Sequence, residues 1–290
     1  MQRPKLACCN FCSDVTLLKQ FAVDHGFDGI DWSFTLENLP QSPAEESTLL
    51  QTIFSLEPLE VRYHCAFKNV DLGDADPRKA ANAMELFQQV CGLVSKLQGR
   101  YLTLHVGLGR ASTDDLNWNK TIEGLRQLDR FANNVGVYLC LENLAWGWTS
   151  RPDLFEKLIR KSGCRVTIDI GHARVSPSVV NDDDKEEDFL LPHPDRVVNA
   201  HIYHEEAGGA HLPPQTVADL ADRLNLLLRL PQCDWWVLEL RERLPLLDTL
   251  QVVRAFFEIE LHSGSDDDYT YENSICERPA YSDKYMIIDG

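Results

Sequence analysis

Long apolar runs, positive charge and paired cysteines are all scarce in this 290-residue chain, and each scarcity excludes something. No apolar stretch approaches the ~20 residues that a membrane span needs. The N-terminus reaches Asn10 and Ser13 without the apolar region of a secretory leader, so a cytoplasmic location with no membrane partner is expected. Lys and Arg number 28 against 45 Asp and Glu, a formal net charge of −17. Gripping a nucleic-acid backbone relies on basic side chains displacing counterions, so a polynucleotide is disfavoured as a partner. Much of the excess lies in residues 182–188 (DDDKEED) and 266–268, charge runs of the kind that solvated loops carry.

The nine cysteines are scattered, and Cys65, Cys140 and Cys164 fall in apolar, strand-like runs, which points to reduced core thiols. Cys8, Cys9 and Cys12 form one cluster with a C-x-x-C spacing suited to redox chemistry or a metal. A structural zinc site needs a second pair, and none is found. Packing on a first strand is the expected role.

What remains is enough for one large core: 44% hydrophobic and 25% charged residues, in a length that suits a single α/β barrel. Eight strand-like segments alternate with helical patterns. The strands are read at residues 5–11, 29–34, 59–67, 101–107, 137–144, 164–173, 196–204 and 234–242. Helical spacing of apolar residues occupies 43–56, 76–97, 114–134, 152–163, 216–230 and 246–261, with a first helix capped by Ser13 and Asp14 and stopped at Gly26. Residues 176–194 are acidic and broken by prolines, so any helix there is short. The alternation predicts a closed (β/α)8 TIM barrel over residues 1–262. Residues 263–290 are left as an acidic C-terminal extension, whose ending KYMIIDG is apolar enough to dock at least in part.

Strands three to eight each carry a metal-capable residue near the carboxyl end: His64, His105, Glu142, Asp169, His201 and Glu239. In a barrel those ends converge on one face, where the loops build the active site. Glu142 and Glu239 sit inside apolar runs, and burying either as an anion is costly without a compensating cation. Two further histidines lie just past strand ends, His172 and His211. Asp169 and His172 would stand ~10 Å apart on a continuing strand, so Gly171 is expected to turn the backbone between them. His25, His193 and His262 read as structural or exposed. His204 breaks the one-per-strand rhythm and is left open.

These residues and their neighbours, HCAF, LHVG, LENL, DIGHA, AHIYHEE, HLPP and LELRE, resemble the xylose isomerase-like TIM-barrel superfamily. This superfamily includes sugar isomerases and epimerases and also endonuclease IV, the apurinic-site DNA-repair enzyme. The resemblance covers roughly residues 5 to 262. It implies that Glu142, Asp169, His201 and Glu239 surround a common divalent metal, zinc, manganese or magnesium. It implies that His64 and His105, with a bridging Glu142, match a second-metal site, and that His172 and His211 match two ligands of a third. The family's Asp two residues before the last of these histidines is here Gly209, so one or two ions are expected rather than three.

Two mechanisms fit this site. In a sugar or sugar-phosphate isomerase or epimerase, a metal-held carbohydrate passes through an enediolate, with Glu142 and Glu239 as the acid–base pair and His172 on a substrate oxygen. In a hydrolase, two metals bridged by Glu142 activate water against a phosphodiester. The first is preferred on the acidic charge and the lost Asp, although His64 and His105 are superfluous in a one-metal isomerase. A metal-bearing barrel that only binds a ligand is the third reading. Lys68, Arg174 and Arg241 are possible anchors for a phosphate or carboxylate, and Phe67, Trp146 and Trp148 for a sugar or base.

Overall fold

The computed structural model describes residues 3–263. Eight parallel strands close into a barrel: β1 (Lys5–Cys9), β2 (Gly29–Phe34), β3 (Glu60–Cys65), β4 (Tyr101–Leu104), β5 (Tyr138–Glu142), β6 (Arg165–Asp169), β7 (Val197–Ile202) and β10 (Trp235–Leu238). β1 closes the barrel by pairing with β10 on one side and β2 on the other. The fold is the expected (β/α)8 barrel; β2 matches its apolar run, and each of the other strands is shorter than its run because the flanking residues leave the sheet.

The helices start where the sequence supplies caps. Asp14 accepts from the amides of Thr16 and Leu17 ahead of α1 (Val15–Asp24), Ser42 precedes α2 (Pro43–Phe54), and Asp76 precedes α3 (Pro77–Lys96). The fourth helical pattern starts later than expected. Asn117 caps α4 (Trp118–Asn134), and the residues before it form a loop. α5 (Pro152–Ser162) ends at left-handed Gly163. Strand six ends at Asp169, short of its expected end at Ala173, and α6 (Ile170–Val175) follows at once; the proline-broken acidic segment is short helix, as expected, with α7 (Pro177–Val180) and a single turn at Glu186–Phe189. α8 (Ala221–Leu228) and α9 (Arg243–Ser263) complete the ring. No helix among the described residues is long and apolar enough to cross a membrane. The C-terminal extension and its docking lie outside the described residues.

The glycine-rich segment after β7 is a β-hairpin, β8 (Glu205–Ala207) with β9 (Ala210–Leu212). Gly208 and Gly209 both have positive φ, 59° and 78°, the signature of a two-residue type I′ turn.

Strand side chains alternate between barrel interior and helix layer, so residues two apart share a face. The inward residue two places before each strand-end ligand therefore forms a lower layer, polar in four strands: Arg62 below His64, Thr103 below His105, Thr167 below Asp169, and Asn199 below His201. Arg62 donates to Asn199 Oδ1 at 2.6 Å and to Asp234 at 2.8 Å, Asn199 donates to Thr167 at 3.1 Å, and Thr167 shares a 2.7 Å bond with Thr103. The Arg62 guanidinium also stacks over Tyr101 and Trp235. This hydrogen-bonded floor supports the upper layer.

Cys8 and Cys9 lie buried in β1 and Cys12 packs partly buried beside it, all three free. Burial raises the Cys9 thiol to about 12, so it is a protonated packing residue rather than a thiolate.

Candidate metal centre

All eight expected ligands lie at the carboxyl ends of the strands or in the loops beyond, and they fall into three of four groups whose ligand atoms lie within 4.8 Å of one another, the fourth being Asp31 with His64 and His201. Glu142, Asp169, His201 and Glu239 form the central group. His201 Nδ1 is 3.0 Å from Glu239 Oε2 and 3.3 Å from Glu142 Oε1. The other oxygen of Glu142, Oε2, faces His105 Nε2 at 3.3 Å and His64 Nε2 at 3.6 Å, the second group. The third holds His172, Glu206 and His211.

Burial makes this arrangement expensive. Asp169 and His201 are fully buried and Glu142 is 1% exposed. Desolvation disfavours the Glu142 anion, yet the imidazoles of His201 and His105 outweigh it and hold its pKa well below the usual carboxylate range. Glu239 behaves in the same way: burial is outweighed chiefly by His201. Burial raises Asp169, with Glu142 and Glu239 adding to it against His172. For His201, burial is outweighed by Glu142 and Glu239, which raise it well above an ordinary imidazole. His172 is raised to about 10, desolvation being overcome by Asp169 and Glu206.

Even so, Glu142 Oε2, Asp169 Oδ2, His64 Nε2, His105 Nδ1 and both nitrogens of His201 are buried without a hydrogen-bond partner. Buried polar atoms are normally satisfied, and here the orphans are mostly the converging atoms. The donor set, carboxylate oxygens with imidazole nitrogens, is that of a divalent transition metal. The residues fit such an ion.

The sequence profile of the xylose isomerase-like TIM barrel family matches residues 20–256. The chain belongs to this family. An uncharacterised protein of Methanocaldococcus jannaschii is 30% identical over 168 residues, 58% of this chain and 71% of the relative. A D-tagatose 3-epimerase-like protein superposes with a TM-score of 0.70 at 14% identity, covering 90% of this chain and all of the other. Endonuclease IV from Thermus thermophilus gives 0.63 at 19% identity, covering 88% of this chain and all of the other. At these identities the superpositions speak for the fold alone. They place this xylose isomerase-like barrel beside both epimerase and nuclease folds.

Three residues beside these groups escape a reading of the sequence. Asp31 on β2 is 2% exposed and lies 3.7 Å from His64 Nδ1. Asn143 clamps two strand ends: its amide donates to the Asp169 carbonyl at 2.9 Å, its Oδ1 accepts the Asp169 amide at 2.8 Å, and its own carbonyl lies 3.0 Å from His172 Nδ1. Glu206 of β8 lies 3.0 Å from His172 Nε2. The LENL motif contains Asn143 and AHIYHEE contains Glu206, but neither breaks a local pattern.

Several expectations are corrected. Gly171 does not supply a turn in unusual conformation. α6 begins directly after Asp169, which caps it by accepting the His172 amide at 2.7 Å. A Cβ on Gly171 would stand 2.1 Å from the Tyr203 ring, so close packing is what requires glycine there. Of the three aromatics, only Trp146 lines the cavity at the centre. Phe67 is buried against Phe87, and Trp148 packs edge-on to Trp118. Lys68 and Arg241 line that cavity, whereas Arg174 faces Glu186 and Glu205. His204 turns to Arg223, outside the three groups. His25 packs on Phe21 and His193 faces Glu156, while the side chain of His262 lies outside the described residues. A larger cavity of about 600 Å³ opens at the opposite end of the barrel, beside Lys5 and Asp234, and holds none of the ligands.

Proposed function

We propose that this chain hydrolyses a compact phosphoester at a divalent-metal centre bridged by Glu142. The observation that carries this reading is the division of that carboxylate, with His64 and His105 on Oε2 and His201 on Oε1. Imidazoles on both oxygens suit a bridge between two cations. The geometry thus favours the mechanism that the sequence ranks second.

Divalent cations held there supply Lewis acidity towards a phosphoryl oxygen and acidify water. The chain's own contribution is to hold and to exclude. Asn143 fixes the ends of β5 and β6 against each other, and Asp31 faces His64 Nδ1, so that Nε2 is turned towards Glu142. The cavity over the centre is about 250 Å³, sized for a small molecule rather than a duplex, and the net charge of −17 also opposes a polynucleotide. Lys68 and Arg241 at its edge supply positive charge for a phosphate, and Trp146 supplies an aromatic wall.

A second reading is a sugar isomerase or epimerase. It is favoured by one observation: Glu142, Asp169, His201 and Glu239 form a set sufficient for one cation without the other histidines. Glu142 and Glu239 would then be the acid–base pair, with His172 on the substrate. Elemental analysis combined with two assays separates the readings. At least two equivalents of metal, with turnover of bis(p-nitrophenyl) phosphate, are expected. One equivalent with ketose epimerisation and no phosphoester turnover overturns the proposal.

A further inference from the structure

Gly209 stands where the family's pattern puts a carboxylate ligand, and the hairpin explains both the loss and its replacement. Gly209 is a central residue of the turn at φ 78°, a conformation that glycine adopts without cost. The turn sets the register: Ala207 opposes Ala210, Glu206 opposes His211, and Glu205 opposes Leu212. Directly opposed residues in an antiparallel pair project from the same face, with Cβ atoms ~5 Å apart. Glu206 and His211 are therefore presented together, and the face they share meets His172, whose Nε2 lies 3.0 Å from Glu206 Oε2.

The two imidazoles are held alike. His172 Nδ1 lies 3.0 Å from the Asn143 carbonyl, and His211 Nδ1 lies 2.7 Å from the Glu239 carbonyl. A carbonyl only accepts, so each Nδ1 carries the proton and donates it. A bound cation would displace the proton that His172 otherwise shares through Nε2 with Glu206, and each Nε2 then offers its lone pair. Holding the far ring nitrogen on a carbonyl is how metal-binding histidines are usually oriented. The His211 ring is further fixed by stacking on Tyr203, 3.8 Å between centroids and 4° from parallel.

We propose that Glu206 replaces the missing aspartate, closing a third cation site with His172 Nε2 and His211 Nε2. Two neutral imidazoles and one carboxylate leave a net positive charge on a bound zinc, which suits an anionic substrate oxygen as the remaining ligand. The inference rests on the multinuclear reading of the centre and extends it from two cations to three.

The test is metal content after dialysis against buffered zinc, for the wild-type chain, Glu206→Gln and Glu205→Gln, with zinc anomalous scattering on crystals. Three equivalents are expected in the wild type and in Glu205→Gln, whose side chain projects from the other hairpin face, and two in Glu206→Gln. An anomalous peak among His172, Glu206 and His211 supports the proposal. Equal stoichiometry in the wild type and Glu206→Gln overturns it, as does zinc at His64, His105 and Glu142 with no peak at the hairpin. Absence of zinc at His64 and His105 counts instead against the multinuclear reading, and so distinguishes the two failures. Thermal melting of each variant checks that the barrel is folded.

Discussion

The barrel interior holds two buried polar layers one above the other, and they are built on opposite terms. In the floor, Arg62, Asn199, Thr167 and Thr103 form a continuous chain of hydrogen bonds, and every charged donor of Arg62 has an acceptor or an aromatic face. The orphan beside it is the neutral indole nitrogen of Trp235. One layer higher, carboxylates and imidazoles of equal burial are left with unpartnered atoms. Both layers bear the cost of removing charge from water, and only the floor answers it with a continuous chain of hydrogen bonds. On the proposed reading, the mouth is a site and the floor a support, because a bound cation would complete the mouth's balance from outside.

Replacing Glu142 with Ala is the strongest way to break the comparison. It removes the shared carboxylate, and metal stabilisation of transition-state charge is worth several kcal/mol. We expect phosphoester turnover to fall by at least about 10³-fold, with metal lost from the central and second groups by elemental analysis. Retention of activity within tenfold would mean that the unsatisfied mouth is not the centre of the chemistry.

The floor should respond in the opposite sense. Arg62→Leu leaves Asn199 Oδ1 and the Val198 carbonyl without their donor. It should lower unfolding free energy by about 3 kcal/mol, read by urea denaturation of the chelated protein. Metal content should stay unchanged. If Arg62→Leu instead removed bound metal, the two layers would be one coupled unit.

The part of this arrangement that is legible in the sequence is the part governed by strand geometry. A residue at the last inward position of a strand is fixed by the period of two, so His64, Glu142, Asp169 and His201 follow from the ends of their apolar runs. His105 and Glu239 stand one residue beyond their strands and follow in the same way. What cannot be read depends on the register between distant segments. Glu206 becomes a neighbour of His211 only through the turn at Gly208 and Gly209, and Asn143 acts through the backbone of a strand 26 residues away. Asp31 sits within β2 rather than at its end, where it resembles any polar residue of an alternating strand. Phe67 and Trp148 depart from expectation because side-chain direction just past a strand end is set by the loop.

Chelation sharpens the comparison from outside the chain. A cation present at 100 times its Kd adds about 2.7 kcal/mol to stability. For a chain of this size that amounts to roughly 5–10 °C in Tm. Removing metal should lower Tm by at least that amount in the wild type and in Arg62→Leu, and by less in Glu142→Ala, which keeps only the hairpin site. A calorimetric scan with and without chelator measures it. Equal shifts in all three would place the stabilising ion elsewhere.

The smallest expected effect tests whether saturation, rather than depth in the barrel, separates the layers. At the rim of the mouth, Asp71 and Asp74, in the segment after β3, both grip Arg110 of the loop after β4, and Asp71 also accepts the Gly107 amide at 2.6 Å. Asp71 and Asp74 are each 4% exposed, yet this clasp lies at the same end as the metal centre and is fully partnered. Burial opposes the Asp74 anion, but the hydrogen bond from Arg110 outweighs it and lowers the pKa. A depressed carboxylate stabilises the fold above its unfolded value, near ~3.9, and loses that contribution as pH falls through the lower, folded value. Asp74→Asn should therefore cost about 1 kcal/mol at pH 6, and the difference from wild type should close as the pH is taken below about 4. Urea denaturation of both chelated proteins from pH 6 to pH 3 measures it. A cost that persists unchanged in acid would show that Asp74 acts by shape alone. A cost that closes would make the rim behave like the floor, leaving lack of internal partners as what sets the metal centre apart.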